Sequence, residues 1–394
     1  MASRTTPGPV LAGRAGVAVA AVALVVTASG LTAPAGSGAL RGSEWALTTL
    51  KAEQAWQINK GRGVTVAVIG TGVDASHPDL KGRVVKGADL ADYATGDGTR
   101  DQGMAEVQGT HAAGIIAGTG RNYRGDGLYG LAPQARVLPV RVYRNDAPVA
   151  AATAAGIRYA ADHGAQVIDV TVSFAQPTEE LRSAIMDAAQ HNALVVAGAG
   201  DNGRIGNAAT YPAAYRGVVA VAATDKKGNV WPDSHHGRDV ALTAPGVDIL
   251  TTARNADYWT GSSTAYAASW VAASAALLRA EHPRWTVAQV IEKLTDTADR
   301  KNPPRWDARY GYGIVDPTGA LAGRASSSLT AGKQPTDRAA ATQGRTASRS
   351  SDAGPMVVVT AVTALLLVLA IIAWLLIRRS VTPSDDDSVE QPRP

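Results

Sequence analysis

Five short runs rich in β-branched and other apolar residues constrain this chain more than any other feature: Val64–Ile69, Arg136–Val142, Val167–Val172, Leu194–Ala199 and Val218–Ala222. They read as continuous apolar stretches, the pattern of parallel strands covered on both sides. Helical patterns fall between them, at Ala150–His163 and Pro177–His191. Strands alternating with helices predict an α/β fold with a mostly parallel central sheet between two helical layers. Further on, Tyr258–Leu278 (YWTGSSTAYAASWVAASAALL) passes from a Gly/Ser/Thr turn, Gly261–Thr264, into an Ala- and Val-rich segment long enough for a buried helix. Unpaired N–H groups point outward at such a helix start, which suits it to hold a reacting group. Thr286–Gln289 is a capping box that opens a last helix towards Ala298, and Tyr310–Leu321 (YGYGIVDPTGAL) closes the domain.

Both ends of the chain predict export and anchoring. Arg4 and Arg14 precede the apolar run Gly16–Thr27, and Ala33-Pro34-Ala35 follows, so residues 1–35 have the layout of a secretory signal with cleavage after Ala35. An uncleaved anchor is the alternative. Residues 36–60 form an N-terminal extension with an amphipathic pattern that includes Trp45, Leu47, Leu50 and Trp56. The domain proper is placed at 61–323, and 324–355, rich in Ser, Thr, Ala and Gly, reads as a flexible stalk. Met356–Ile377 is an uninterrupted apolar stretch of 22 residues. At about 1.5 Å per residue it spans a hydrocarbon layer of roughly 30 Å. Arg378 and Arg379 place the tail, 378–394, in the cytoplasm and the domain outside. With no cysteine and a net charge of only +4, disulfides, thiolate metal sites and a nucleic-acid surface lack support.

Four separated motifs resemble those of the subtilisin-like serine proteases, over about Ala46–Leu321. VAVIGTGVDASHPDL (Val66–Leu80) is similar to the family's V-I-D-[ST]-G block followed by H-P-D-L; QGTHAAG (Gln108–Gly114) is similar to H-G-T-H-[VA]-A-G. VVAGAGDNG (Val195–Gly203) is similar to V-V-A-A-A-G-N-x-G, and the turn into the Ala-rich helix resembles G-T-S-[MF]-A-x-P-x-V. The resemblance puts Gly70 at the orienting aspartate, Gln108 at the general base, Ala265 at the nucleophile and Asp201 at the side-chain oxyanion donor. A serine protease needs all four functions. Glycine cannot hold an imidazole, glutamine has no titratable nitrogen, and a methyl group cannot attack a carbonyl. An ionised aspartate facing an oxyanion adds a repulsion of about 4 kcal/mol at roughly 4 Å. In subtilisin, loss of nucleophile or base alone costs about 10⁶ in turnover. Loss of peptidase activity is therefore expected.

Other chemistries remain to be weighed. Ser262 or Ser263 is a candidate displaced nucleophile with His111 as base, and Asp74 a candidate replacement acid; the alternative for His111 and Asp74 is an ordinary packed, hydrogen-bonded role. Gly70–Ala75 matches a dinucleotide fingerprint, G-x-G-x-x-[GA], but Pro78 argues against the helix that fingerprint requires. Asp79 matches a position that ligates calcium in some subtilases, yet no clustered array accompanies it, and Asp97, Asp101 and Asp126 lie in Gly-rich loops. No metal and no cofactor is expected. The signal, the stalk, the C-terminal span and LRAEHPRWTVAQVIEKLTDTADR (Leu278–Arg300) are most similar to the mycosins, membrane-anchored subtilases of actinobacterial type VII secretion. That resemblance implies an inactive mycosin-like pseudoprotease at the secretion membrane complex, as scaffold or as a binder of extended peptides. The segment Val170, Thr171, Val172 and Ser173 is the candidate for pairing with a peptide main chain, with Ser173 at a usual glycine. The alternative is an active endopeptidase using relocated residues.

Overall fold

The computed structural model of the protein describes residues 39–323, apart from 92–95, 104–106 and 301–304. Three short helices come first: α1 (Ala39–Ser43), α2 (Trp45–Thr49) and α3 (Ala52–Ile58). The first core strand is β1 (Thr65–Gly70), followed by β2 (Ala88–Asp89), α4 (Gln108–Ala117), the single turn α5 (Asn122–Gly125) and β3 (Arg136–Arg141). A small hairpin, β4 (Tyr143–Arg144) and β5 (Ala147–Pro148), leads to α6 (Ala150–Asp162), β6 (Val167–Val170), α7 (Glu179–Gln190) and β7 (Leu194–Gly198). Next come β8 (Val218–Thr224), β9 (Val240–Pro245) and a second hairpin, β10 (Ile249–Thr252) with β11 (Tyr258–Gly261). The helices α8 (Thr264–Glu281), α9 (Val287–Thr297) and α10 (Pro317–Leu321) complete the domain.

Seven strands form one sheet in the order β2-β3-β1-β6-β7-β8-β9, and every pairing in it is parallel. Alternate residues of each run face opposite sides, which is why the runs are apolar throughout. In β1, Val66 and Val68 face a core shared with α4 and α8, while Ala67 and Ile69 face one shared with α6 and α7. The expected α/β arrangement, a parallel sheet between two helical layers, is present. From β1 the chain first builds β2 and β3 on one side, then returns to place β6 on the other. The ends of β1 and β6 therefore flank a topological switch point, where open parallel sheets leave a crevice for ligands.

α8 crosses the middle of this sheet, and from Tyr266 to Arg279 it is buried. Its Ala and Ser residues allow the close approach. Any side chain at Gly198, at the end of β7, would put a Cβ 2.6 Å from Thr264 Oγ1 and 2.7 Å from Ala265 N. The capping box at α9 is present: Thr286 accepts from Gln289 N and Gln289 Oε1 accepts from Thr286 N. Replacing Thr286 with alanine is expected to cost about 1 kcal/mol of stability in denaturant titrations. The N-terminal helices are fastened to the far end of the domain. Lys51 Nζ lies 3.2 Å from Asp316, and Thr318 donates to the Lys51 carbonyl. Trp45 and Asn59 reach the Asp248 and Leu277 carbonyls.

Several expectations need correction. Val167–Val172 is strand only to Val170; beyond it the Thr171 N–H and hydroxyl both turn to the Ile69 carbonyl. Gly261 ends a strand rather than opening a turn, because Tyr258–Gly261 pairs antiparallel with Ile249–Thr252. The helix ending at Thr297 is not the last, since α10 forms inside the closing segment behind an Asp316 cap. Among the described residues no helix is long and apolar enough to cross a membrane. The signal (1–35), the stalk (324–355), the apolar span Met356–Ile377 and the tail (378–394) lie outside the described residues.

Candidate functional site

Three of the four residues singled out by motif line the switch-point crevice, and the fourth, Gly70, lies behind it. Gly70 ends β1, Gln108 opens α4, Asp201 follows β7, and Ala265 sits in the first turn of α8. Gln108, Asp201 and Ala265 line one cavity of about 270 Å³ together with Val170, Thr171, Val172 and Ser173. All four of the proposed peptide-pairing residues are thus on its wall, although only Val170 belongs to the sheet. Gly70 lies behind this wall. A Cβ there would meet Thr171 Oγ1 at 2.5 Å, so the threonine hydroxyl occupies the space a side chain at 70 would need.

The start of α8 is closed by two acceptors. Asp201 Oδ1 accepts the Thr264 N–H at 2.8 Å, and Oδ2 accepts the Ser263 hydroxyl at 2.8 Å. Ser263 is the helix N-cap, and its Oγ accepts the Ala265 N–H at 3.0 Å. A carboxylate and a hydroxyl are favourable caps at a helix N-terminus. Between them they occupy the Thr264 and Ala265 N–H groups. Ser263 is therefore the cap of α8, a role that no single motif displays. The signal available was a hydroxyl residue two positions before the helix-borne Ala265, the geometry of an N-cap.

No hydrogen bond joins Ser262 or Ser263 to His111. Ser262 Oγ accepts the Asp248 N–H. His111 is 5% exposed, with Nδ1 2.9 Å from the Tyr266 hydroxyl. Burial holds its imidazole down to about 4, so the ring is neutral at physiological pH. Asp74 accepts from Ser76 and from the Asn255 N–H, which ties a turn to the β10–β11 loop. Gly70–Ala75 enters turns, and among the described residues α4 is the next helix. Asp79 accepts the Asn122 and Leu128 N–H groups and the Tyr258 hydroxyl, which fills its carboxylate with donors. Asp101 caps Thr110, and Asp97 accepts from Thr99.

A second cavity, of about 430 Å³, shares Gln108, Asp201 and Ser263 with the first and extends towards the β10–β11 hairpin. The two are halves of one cleft with those three residues on the ridge between them. Beneath the site, Asp169 on β6 is completely buried and accepts the Ser269 hydroxyl of α8 at 2.6 Å. Burial raises its carboxyl to about 7 against the opposing Ser269 bond. Ser269 also lies 3.1 Å from the Ala265 carbonyl, one helical turn below the site.

The family described as the subtilase family matches residues 61–313. Thermitase of Thermoactinomyces vulgaris is 37% identical over 252 residues, covering 64% of this chain and 86% of its own. A solved structure of the serine protease MycP1, described as an essential component of the type VII (ESX-1) secretion system, superposes with a TM-score of 0.61 at 30% identity. It covers 71% of this chain and 88% of that one. MycP3 protease from the type VII (ESX-3) secretion system gives 0.59 at 29% identity, over 70% of this chain and 87% of that one.

Proposed function

The chain belongs to the subtilase family, and from that membership we propose that it is a catalytically inactive member that captures extended peptides at a type VII secretion complex. The observation that carries the reading is the start of α8. Where the family motif has a nucleophile there is a methyl group, and the adjacent N–H groups are held by Ser263 and Asp201. Without an attacking atom, a base at Gln108 or free donors, the remaining property of the cleft is its shape. Substrate-type binding does not require the catalytic groups, because ground-state contacts and bond-breaking contacts are separable.

Likeness to MycP1 and MycP3, named for their secretion systems, supports the placement at such a system. The signal at 1–35 and the apolar span Met356–Ile377 support an exported domain tethered to the cell membrane. Beyond β6, Val172 and Ser173 lie on the cavity wall and offer main-chain groups to a peptide, while the Thr171 N–H is already bonded to the Ile69 carbonyl.

Two measurements test this. A fluorophosphonate probe on the full-length protein is expected to leave every serine unlabelled; labelling at Ser262 or Ser263 would instead establish an endopeptidase with relocated groups. Fluorescent extended peptides are expected to bind the same preparation. If none binds while the protein still co-purifies with membrane partners, capture is wrong and a scaffold role remains.

A further inference from the structure

The half of the cleft beneath the β10–β11 hairpin has walls unlike those of the half beside Ala265. Trp259 is 53% exposed and stands parallel to the buried His111 ring, the two planes 7° apart with centroids 6.2 Å apart. His111 Nε2 is buried and has no hydrogen-bond partner, although the residue lines the cavity and its Nδ1 is engaged by Tyr266. The His111 ring is thus a buried, neutral part of the cavity wall, its Nδ1 paired with the Tyr266 hydroxyl. Two carboxylates, Asp201 and Asp257, also line this cavity, against one permanent cation, Arg254. Each Asp201 oxygen accepts one bond from the start of α8 and keeps a further acceptor position. Acceptors, an excess of negative charge and the face of an exposed indole together suit a cation.

We propose that this cavity receives a cationic side chain, lysine or arginine, of an extended peptide, with Asp201 as its counter-charge and the Trp259 ring as its wall. The assignment rests on the peptide-capture reading above and adds to it the class of peptide. It also gives a purpose to the carboxylate at position 201. The group that disqualifies the site for stabilising an anion is the one that suits it to hold a positive charge.

The test uses the full-length protein in detergent and ten-residue alanine–serine peptides, acetylated, amidated and carrying a neutral dye. They differ only at one central residue: arginine, lysine, citrulline or glutamate. Arginine and lysine peptides are expected to bind at least 10-fold more tightly than the citrulline peptide, with the ratio shrinking as salt is added. Asp201→Asn keeps an acceptor for the Thr264 N–H but removes the charge, so it is expected to bring the ratio close to one. Trp259→Ala is expected to lower the ratio as well. Equal binding of the arginine and citrulline peptides overturns the cation assignment while leaving peptide capture standing. A preference that survives Asp201→Asn overturns it too, and failure of every peptide to bind overturns both.

Discussion

Replacing Asp169 with asparagine is expected to shift stability relative to the parent by about 4 kcal/mol in the variant's favour between pH 4 and pH 8, on top of a pH-independent cost for the amide N–H groups placed at the unpartnered Oδ1 position. The carboxyl titrates near 3.8 in the unfolded chain but about 7 when folded, because burial penalises the ionised form. A raised acid favours the folded state while protonated; that advantage is lost as pH climbs from the lower value to the higher. Asparagine mimics the neutral acid, keeps an acceptor for Ser269 and removes the loss. His111 has the opposite sign. Its folded value of about 4 lies below the ordinary 6.5, so acid protonates the unfolded chain first and stability falls as pH drops through that window. The window is worth about 3 kcal/mol. Between pH 4 and 6.5 the two slopes oppose, so the parent is expected to be nearly flat with respect to this pair. Asp169→Asn should expose a stability that rises with pH, and His111→Gln one that falls. Urea titrations at pH 4.5, 6 and 8 give the three curves. Parallel curves for parent and both variants would mean that neither group is held as the fold implies.

Rebuilding catalysis is expected to fail if only the three reacting positions are restored. Gly70→Asp with Gln108→His and Ala265→Ser supplies acid, base and nucleophile. However, the Ala265 and Thr264 N–H groups stay engaged by Ser263 and Asp201. The Asp side chain must also displace the Thr171 hydroxyl from a position 2.5 Å from its Cβ, breaking the bond to the Ile69 carbonyl. Adding Asp201→Asn and Ser263→Gly returns an uncharged donor and frees the N–H at 265. One oxyanion donor is worth about 10² to 10³ in turnover, so the five-fold variant should exceed the three-fold one by at least that factor. A chromogenic peptide amide measures the rates, and a fluorophosphonate reports whether position 265 is reactive. Equal rates for the two variants would show that the start of α8 is not the second defect.

What the sequence made legible was the part governed by local periodicity. The β-branched runs became the sheet, Thr286 and Gln289 became a reciprocal cap, and the motif spacings brought Gln108, Asp201 and Ala265 to one cavity. Strands of two residues, such as β2 and β4, carry no periodicity to detect. The β10–β11 hairpin was hidden because its outward residues, Trp259 and Thr260, share no simple alternation with Leu250 and Thr251 opposite. The Asp201–Ser263 contact joins positions 62 residues apart, and the Gly70–Thr171 exchange of volume lies across neighbouring strands. Asp169 was the signal most open to use: a lone carboxyl inside Val-Ile-Asp-Val must be buried if the run is a central strand.

The junction between α3 and α10 bears on how the domain would withstand being pulled. The polypeptide enters the domain through α1, α2 and α3 and departs through α10, and Lys51 is fastened to both Asp316 and Thr318. Tension arriving from beyond Gly323 therefore reaches that exposed clasp together with the closing segment, whose Gly313 and Val315 bond to Thr243 of β9. Load on the tether is thus divided between the N-terminal helices and the edge of the sheet.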